Sequence, residues 1–212
     1  MGMGWCRTPG WGCYANWPDQ TGLSAQVTAV LADTYKGPWV HAPGAVFADL
    51  AAAVADGADC IDRVGQLCGD REHVFGAKAS TTAMWRLVDQ RIDASHLPKV
   101  REARAAARAA AWAAGAAPSR DRPLHIDFDA TLVIDHSDNK AQAAPTWKKS
   151  FGHHPLLAFL DRPEIAGGEP LARLLRKGNA GSNTSADHIT VLDQSLASLP
   201  PQWRPDLDIA LV

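Results

Sequence analysis

Leu124-His-Ile-Asp-Phe-Asp-Ala-Thr-Leu-Val-Ile134 sets two aspartates into an otherwise apolar run. Its apolar residues predict a strand running from His125 to Ile134, and side chains of a strand alternate between faces, so Asp127 and Asp129 share one side. An unpaired carboxylate inside an apolar sheet is expensive. Such residues are paired, bound to metal, or set at a strand end facing a cleft.

Upstream of this strand the pattern is helical. Leu23 to Thr34 repeats apolar residues at Val27, Val30 and Leu31 before Gly37-Pro38, and Gly44 to Ala55 is a strongly apolar helix stopped by Gly57. Cys60 to Cys68 places Ile61, Val64, Leu67 and Cys68 on one face. Ser80-Thr81-Thr82 offers a hydroxyl cap to a helix carrying Met84, Trp85, Leu87, Val88 and Ile92. The alanine-rich run from Leu97 to Ala117 carries Arg101, Arg104 and Arg108 on one face. These arginines form either a basic ridge that meets DNA phosphates or the solvated side of an easily formed helix. The polar run Pro118 to Pro123 then breaks the pattern.

Downstream, Ser137 to Ala144 reads as a hairpin-like stretch, His154 to Leu160 as a second strand and Gly168 to Arg176 as a third. A loop, Lys177-Gly-Asn-Ala-Gly-Ser-Asn-Thr-Ser-Ala186, leads to an amphipathic helix from Asp187 to Leu199. Ile189, Leu192 and Leu196 are its expected buried side. Pro200-Pro201 ends the helix, and Asp206 to Val212 begins a further apolar strand. Three adjacent strands, a helix and a returning strand predict a mixed sheet with helical cover. The expected organisation is an irregular leader over residues 1–22, a helical N-terminal region over 23–117, a linker over 118–123 and an α/β part over 124–212.

Composition limits the function classes. With 212 residues and 46% hydrophobic, the chain can bury a core. A net charge of −2 gives no global attraction to nucleic acid, so any DNA contact must rest on local basic groups. No apolar run reaches the roughly 18 residues of a membrane span, and a cytoplasmic location is expected. Cys6, Cys13, Cys60 and Cys68 lack the two-residue spacing of zinc ribbons and read as free thiols. The leader sets Trp5, Trp11 and Trp17 among Gly, Pro and Cys without any period; a start site placed too far upstream gives the same pattern.

Several polar residues admit two readings. Lys148 and Lys149 beside Trp147 either touch a DNA backbone, with the indole stacked on a base, or form an ordinary exposed loop. His153 and His154 flank a site or serve structure at the start of a strand. Asn179, Ser182, Asn183 and Thr184 are expected to satisfy loop backbone, and Asp187 to cap the helix that follows.

His125-Ile-Asp-Phe-Asp-Ala-Thr, Pro145-Thr-Trp-Lys-Lys-Ser-Phe-Gly-His-His-Pro-Leu-Leu and Leu175-Arg-Lys-Gly-Asn-Ala-Gly-Ser-Asn-Thr-Ser-Ala-Asp-His together resemble the DDE transposases of bacterial insertion sequences. The resemblance extends from about Gly44 to Val212. It is to the group in which a helical N-terminal region precedes a ribonuclease-H-like core, and it implies an α/β fold whose mixed sheet is an incomplete version of that core. It also implies cut-and-paste movement of DNA by metal-dependent phosphoryl transfer, with Mg²⁺ held by two aspartates and a glutamate. The first aspartate maps onto Asp129, with Asp127 as the fallback. The second belongs just beyond the strand that begins at Asp206, and the glutamate further on. The resemblance therefore implies an N-terminal fragment, truncated before the second aspartate and catalytically inactive alone. Its implied partners are insertion-sequence ends, met through Arg101, Arg104, Arg108, Lys148 and Lys149, and a homo-oligomer or full-length transposase. A non-catalytic regulator of a full-length transposase is the alternative. Asp127-Phe-Asp129-Ala-Thr131 also fits the haloacid-dehalogenase phosphatase pattern, over five residues only.

Overall fold

Apolar residues at helical spacing build the first part of the chain. The computed structural model describes residues 17–55, 57–64, 79–135, 140, 142–165, 168–181 and 184–208. It divides into two compact units, Met1–Ala111 and Trp112–Val212.

The first unit contains α1 (Leu23–Leu31), α2 (Pro43–Ala55), α3 (Thr81–Arg86) and α4 (Leu97–Ala111). Leu23, Val27 and Leu31 lie one turn apart along α1 and enter one core with Val46, Met84, Leu87, Val100 and Ala103. Gly44 lets α1 and α2 meet closely. Its N–H donates to Thr28 Oγ1 at 3.0 Å, and a Cβ there would stand 1.7 Å from Ser24 O. Ser80 caps α3 as expected, its Oγ accepting from the Ala83 N–H at 3.3 Å.

Three expectations for this region change or fall outside view. The alanine-rich helix stops at Ala111, and Trp112–Ala116 forms a wider π turn. Within it Gly115 takes φ 105, left-handed backbone that ends the helical path, and Pro118 keeps Ala117 from resuming it. Of Cys60 to Cys68, residues 61–64 are helical and Leu67 and Cys68 lie outside the described residues; Cys60 is a free, exposed thiol. Of the leader, residues 1–16 lie outside, as do Cys6 and Cys13, and residues 17–20 form a helical turn.

A buried histidine fastens this unit. His96 is only 8% exposed. Its Nδ1 meets Asp93 Oδ1 at 2.8 Å and its Nε2 meets Asp33 Oδ1 at 3.1 Å. With a carboxylate on each ring nitrogen, the doubly protonated ring is the form that satisfies both. The hydrogen bond to Asp93 raises the His96 pKa above its ordinary value, desolvation opposes this, and Asp33 adds to the rise. The Ser95 hydroxyl and then His96 hold Asp93 well below the usual carboxylate range. A raised histidine stabilises fully below its unfolded pKa, about 6.5, and loses that contribution as pH climbs through the raised value. A depressed Asp93 contributes above about pH 4 and loses this as pH falls through its lowered value. The helical unit should therefore melt at falling temperatures as pH rises from about 6.5 upward, and His96→Gln should flatten that slope. An unchanged slope in the variant would remove the latch from the account.

The second unit opens on the aspartate strand. Here β1 (Leu124–Ala130) is shorter than expected, because the chain leaves the sheet at Thr131-Leu132 and Val133–Ile134 forms β2 in a separate sheet. The Thr131 N–H donates to Pro155 O at 3.3 Å and the Asp135 N–H to Phe151 O at 2.9 Å, which turns the chain toward new partners. The second sheet has the order β2-β4-β3, with β3 (Ala144–Pro145) and β4 (Phe151–His153). Of the hairpin-like Ser137 to Ala144, residues 137–139 and 141 lie outside the described residues.

The main sheet has the order β6-β5-β1-β7. Strand β5 (Leu156–Leu160) runs antiparallel to β1, with Asp127 opposite Phe159 and Asp129 opposite Leu157. Strand β6 (Glu169–Leu174) runs antiparallel to β5, with a bulge between Ala158 and Phe159. After α5 (Ser185–Ser198), β7 (Leu207–Asp208) returns parallel to Leu124 and His125 at the other edge of β1. Residues 209–212, expected to extend it, lie outside the described residues.

Helix α5 covers the face bearing Ile126, Phe128, Leu156, Ala158, Leu160 and Leu171. Its buried positions are Val191 and Ser195, while Ile189 is 58% exposed, against the expected stripe; Leu192 is partly buried. Ser195 tolerates burial because its Oγ–H donates to Val191 O at 2.7 Å. Trp112 and Trp203 close the end of this core edge to face, with centroids 5.2 Å apart.

Candidate functional site

Alternation along β1 sets the chemistry. Leu124, Ile126 and Phe128 turn into the core, and Asp127 and Asp129 stand exposed on the opposite face. No cation among the described residues pairs with either. Beside them on this face are the half-buried Leu157 and Phe159. Asp127 also lines an open depression of about 320 Å³ together with Phe159, Asp161, Arg162, Pro163 and Ile165. Arg162 is not free to meet a ligand there. Its Nη1–H donates to Glu169 Oε2 at 2.8 Å and its Nη2–H to Ala116 O at 3.0 Å, while Nε–H engages Glu164.

Lys148 and Lys149 emerge on the turn joining β3 to β4, together with Trp147, and all three are exposed. Arg101, Arg104 and Arg108 lie on α4 of the helical unit. Arg104 is exposed, Arg101 and Arg108 are half-buried beside the stripe Val100, Ala103 and Ala107, and Arg104 and Arg108 already have interaction partners. The arginines thus belong to one unit and the lysines to the other.

The two remaining sequence blocks interlock. His154 is buried, its N–H donates to Arg176 O at 3.1 Å and its Nδ1 meets Ala180 O at 2.8 Å. Arg176, 5% exposed, returns Nε–H to His154 O at 2.9 Å and Nη1–H to Gly181 O at 2.9 Å and Asp187 Oδ2 at 3.2 Å. The structural reading of His154 is the one that fits these contacts. Asp187 is not the cap: it lies in the first turn of α5 and Thr184 occupies the cap position without a side-chain bond. Asn179 is exposed, and Ser182 and Asn183 lie outside the described residues. The sequence pattern sets Arg176 only at the end of an expected strand; its place between that apolar strand and a Gly-rich loop is the one sign of this tie.

A comparison with family profiles finds one that spans nearly the whole chain: "Transposase DDE domain group 1" matches residues 13–208. The chain belongs to this family of DDE transposases. The match takes in Asp127-Phe-Asp-Ala-Thr131, the pentapeptide shared with the phosphatase pattern. No curated protein and no solved structure matches the chain. No helix among the described residues of the transposase is long and apolar enough to cross a membrane.

DDE transposases typically work with divalent metal. Carboxylate oxygens are the right donors for a hard cation, and Asp127 and Asp129 supply them from one face. A two-metal centre needs more ligands than this, and no three His, Cys, Asp or Glu side chains come together among the described residues. The described residues do not fit a complete centre, and no step of strand transfer follows from them.

Proposed function

We propose that this transposase polypeptide binds DNA at insertion-sequence ends and carries the first carboxylate of the family's triad, Asp129, with Asp127 as the fallback, on the open face of a partial ribonuclease-H-like core. One observation carries the reading. A three-stranded antiparallel run β6-β5-β1, followed by α5 and by β7 parallel to β1, presents both aspartates, without a cation partner among the described residues, on the face that α5 leaves bare. Mg²⁺ is the cation proposed for them. Lys148, Lys149, Arg101, Arg104 and Arg108 are the proposed phosphate contacts, and strand transfer is not proposed for the described residues, which bring no three candidate metal ligands together.

Binding should fall steeply with salt and favour element-end DNA over random sequence. Lys148→Ala and Arg101→Ala should each lower the slope of log K against log salt by about one. Equal binding to both DNAs would sink the end-specific claim. Incubated with end DNA and Mg²⁺, the polypeptide should release no cleaved strand. Cleavage that disappears in Asp129→Asn would show instead that the carboxylate centre is complete.

A further inference from the structure

The β3–β4 turn presents an indole largely to solvent. Trp147 is 70% exposed, although burying such a ring is normally favourable. The backbone that carries it is tied down by hydrogen bonds across the turn. The Thr146 N–H donates to Ser150 O at 2.8 Å, the Lys149 N–H returns to Thr146 O at 3.0 Å, and the Thr146 and Ser150 hydroxyls bond at 2.6 Å. Beneath the turn, Gly178 packs directly on the hairpin stem, where a Cβ would stand 2.2 Å from Ala144 O and 2.5 Å from Gly152 O. The indole therefore sits on a rigid support.

Lys149 has φ 61, in the left-handed region where this kind of turn ordinarily takes Gly or Asn. A lysine there keeps a charge at the tip against the preference of its own backbone, the pattern of strain retained for binding. Lys148 Nζ lies 5.0 Å from the Trp147 ring centroid, and no acidic residue occurs between Ala144 and Phe151. The tip is a flat apolar face flanked by two cations and no anions.

We propose that this tip is a stacking platform for an unpaired DNA base, with Trp147 taking the base face and Lys148 and Lys149 the adjoining phosphates. The proposal rests on the DNA-binding reading above and adds which DNA the hairpin selects. Bases within a duplex are already stacked on both sides, whereas an unpaired base offers a free face to an aromatic ring. Because the turn is locked before binding, little ordering is required when the base arrives.

Two DNAs test this: a blunt duplex and the same duplex with a single-stranded overhang containing 2-aminopurine. The full chain should bind the overhang DNA more tightly and change the 2-aminopurine emission. Trp147→Ala should weaken overhang binding by about 10-fold, leave blunt-duplex binding and the salt slope unchanged, and abolish the emission change; Trp147→Phe should recover most of the binding. Lys149→Gly should lower the salt slope by about one without lowering the melting temperature, since glycine relieves the backbone. A wild-type chain that binds DNA with the expected salt slope but matches Trp147→Ala on the overhang overturns this proposal alone. A wild-type chain that binds neither DNA overturns both readings.

Discussion

Arg176→Met is expected to destabilise the sheet unit by about 3–5 kcal/mol, the range for breaking a buried ion pair from one side. The reason lies in what the guanidinium leaves behind. Removing it takes the donor from His154 O and Gly181 O and strands the Asp187 carboxylate, itself only 28% exposed. Each orphaned acceptor costs about 1–3 kcal/mol when water cannot replace the donor. The first turn of α5 offsets part of the Asp187 cost, because a helix N-terminus favours negative charge. Arg176 Nη2 has no partner among the described residues, so the wild-type pair does not recover all of its own desolvation. The large effect is therefore one of truncation, not a measure of what the pair contributes.

Two further variants separate these causes. Arg176→Lys keeps the charge but loses the planar fork that reaches two carbonyls and a carboxylate together, so its stability should fall between wild type and Arg176→Met. Arg176→Met combined with Asp187→Asn should be more stable than Arg176→Met alone, because the stranded charge is gone. Urea unfolding of the sheet unit measures all three. A loss below about 1 kcal/mol for Arg176→Met would put the pair with exposed ion pairs of little worth and end the argument.

Much of this unit was legible in its sequence, and the failures have identifiable physical causes. The aspartate strand could be read because Ile126 and Phe128 alternate with Asp127 and Asp129, a period of two that only a strand satisfies. Its break at Thr131 could not, because Leu132-Val133-Ile134 continues the apolar run while the backbone changes partners. Strands of two residues such as β2 and β3 carry no period at all. On α5 the buried Ser195 disguises the stripe: a hydroxyl bonded back to its own helix behaves as an apolar residue, while Ile189 fits the apolar spacing and faces solvent. Both aspartates were named from sequence and both stand on the open face. The Arg176 tie is a long-range polar contact, and spacing along a chain does not announce one.

Trp203→Ala should cost about 3–5 kcal/mol, as for other buried Trp truncations, and should release the edge of the sheet beside the aspartate strand. Trp203 is 8% exposed and packs edge to face on Trp112, while Arg120 Cζ sits 3.9 Å above its ring. It belongs to the turn Pro201–Asp206 that delivers β7 to β1. The described part of β7 follows directly on this turn, so the tryptophan anchor fixes where the strand meets β1. Arg120→Ala removes the cation from the face of the Trp203 ring and a long hydrogen bond to Gln202 O, and should cost about 0.5–1 kcal/mol. Amide exchange distinguishes the roles: in Trp203→Ala, protection should fall at Leu124, His125 and residues 207–208 before it falls at the β1–β5 pairing. If the β7 edge stays protected while the core loosens, Trp203 is a core residue only and β7 is held by something else. If the edge opens first, the parallel strand that gives this sheet its mixed order depends on a single indole outside it.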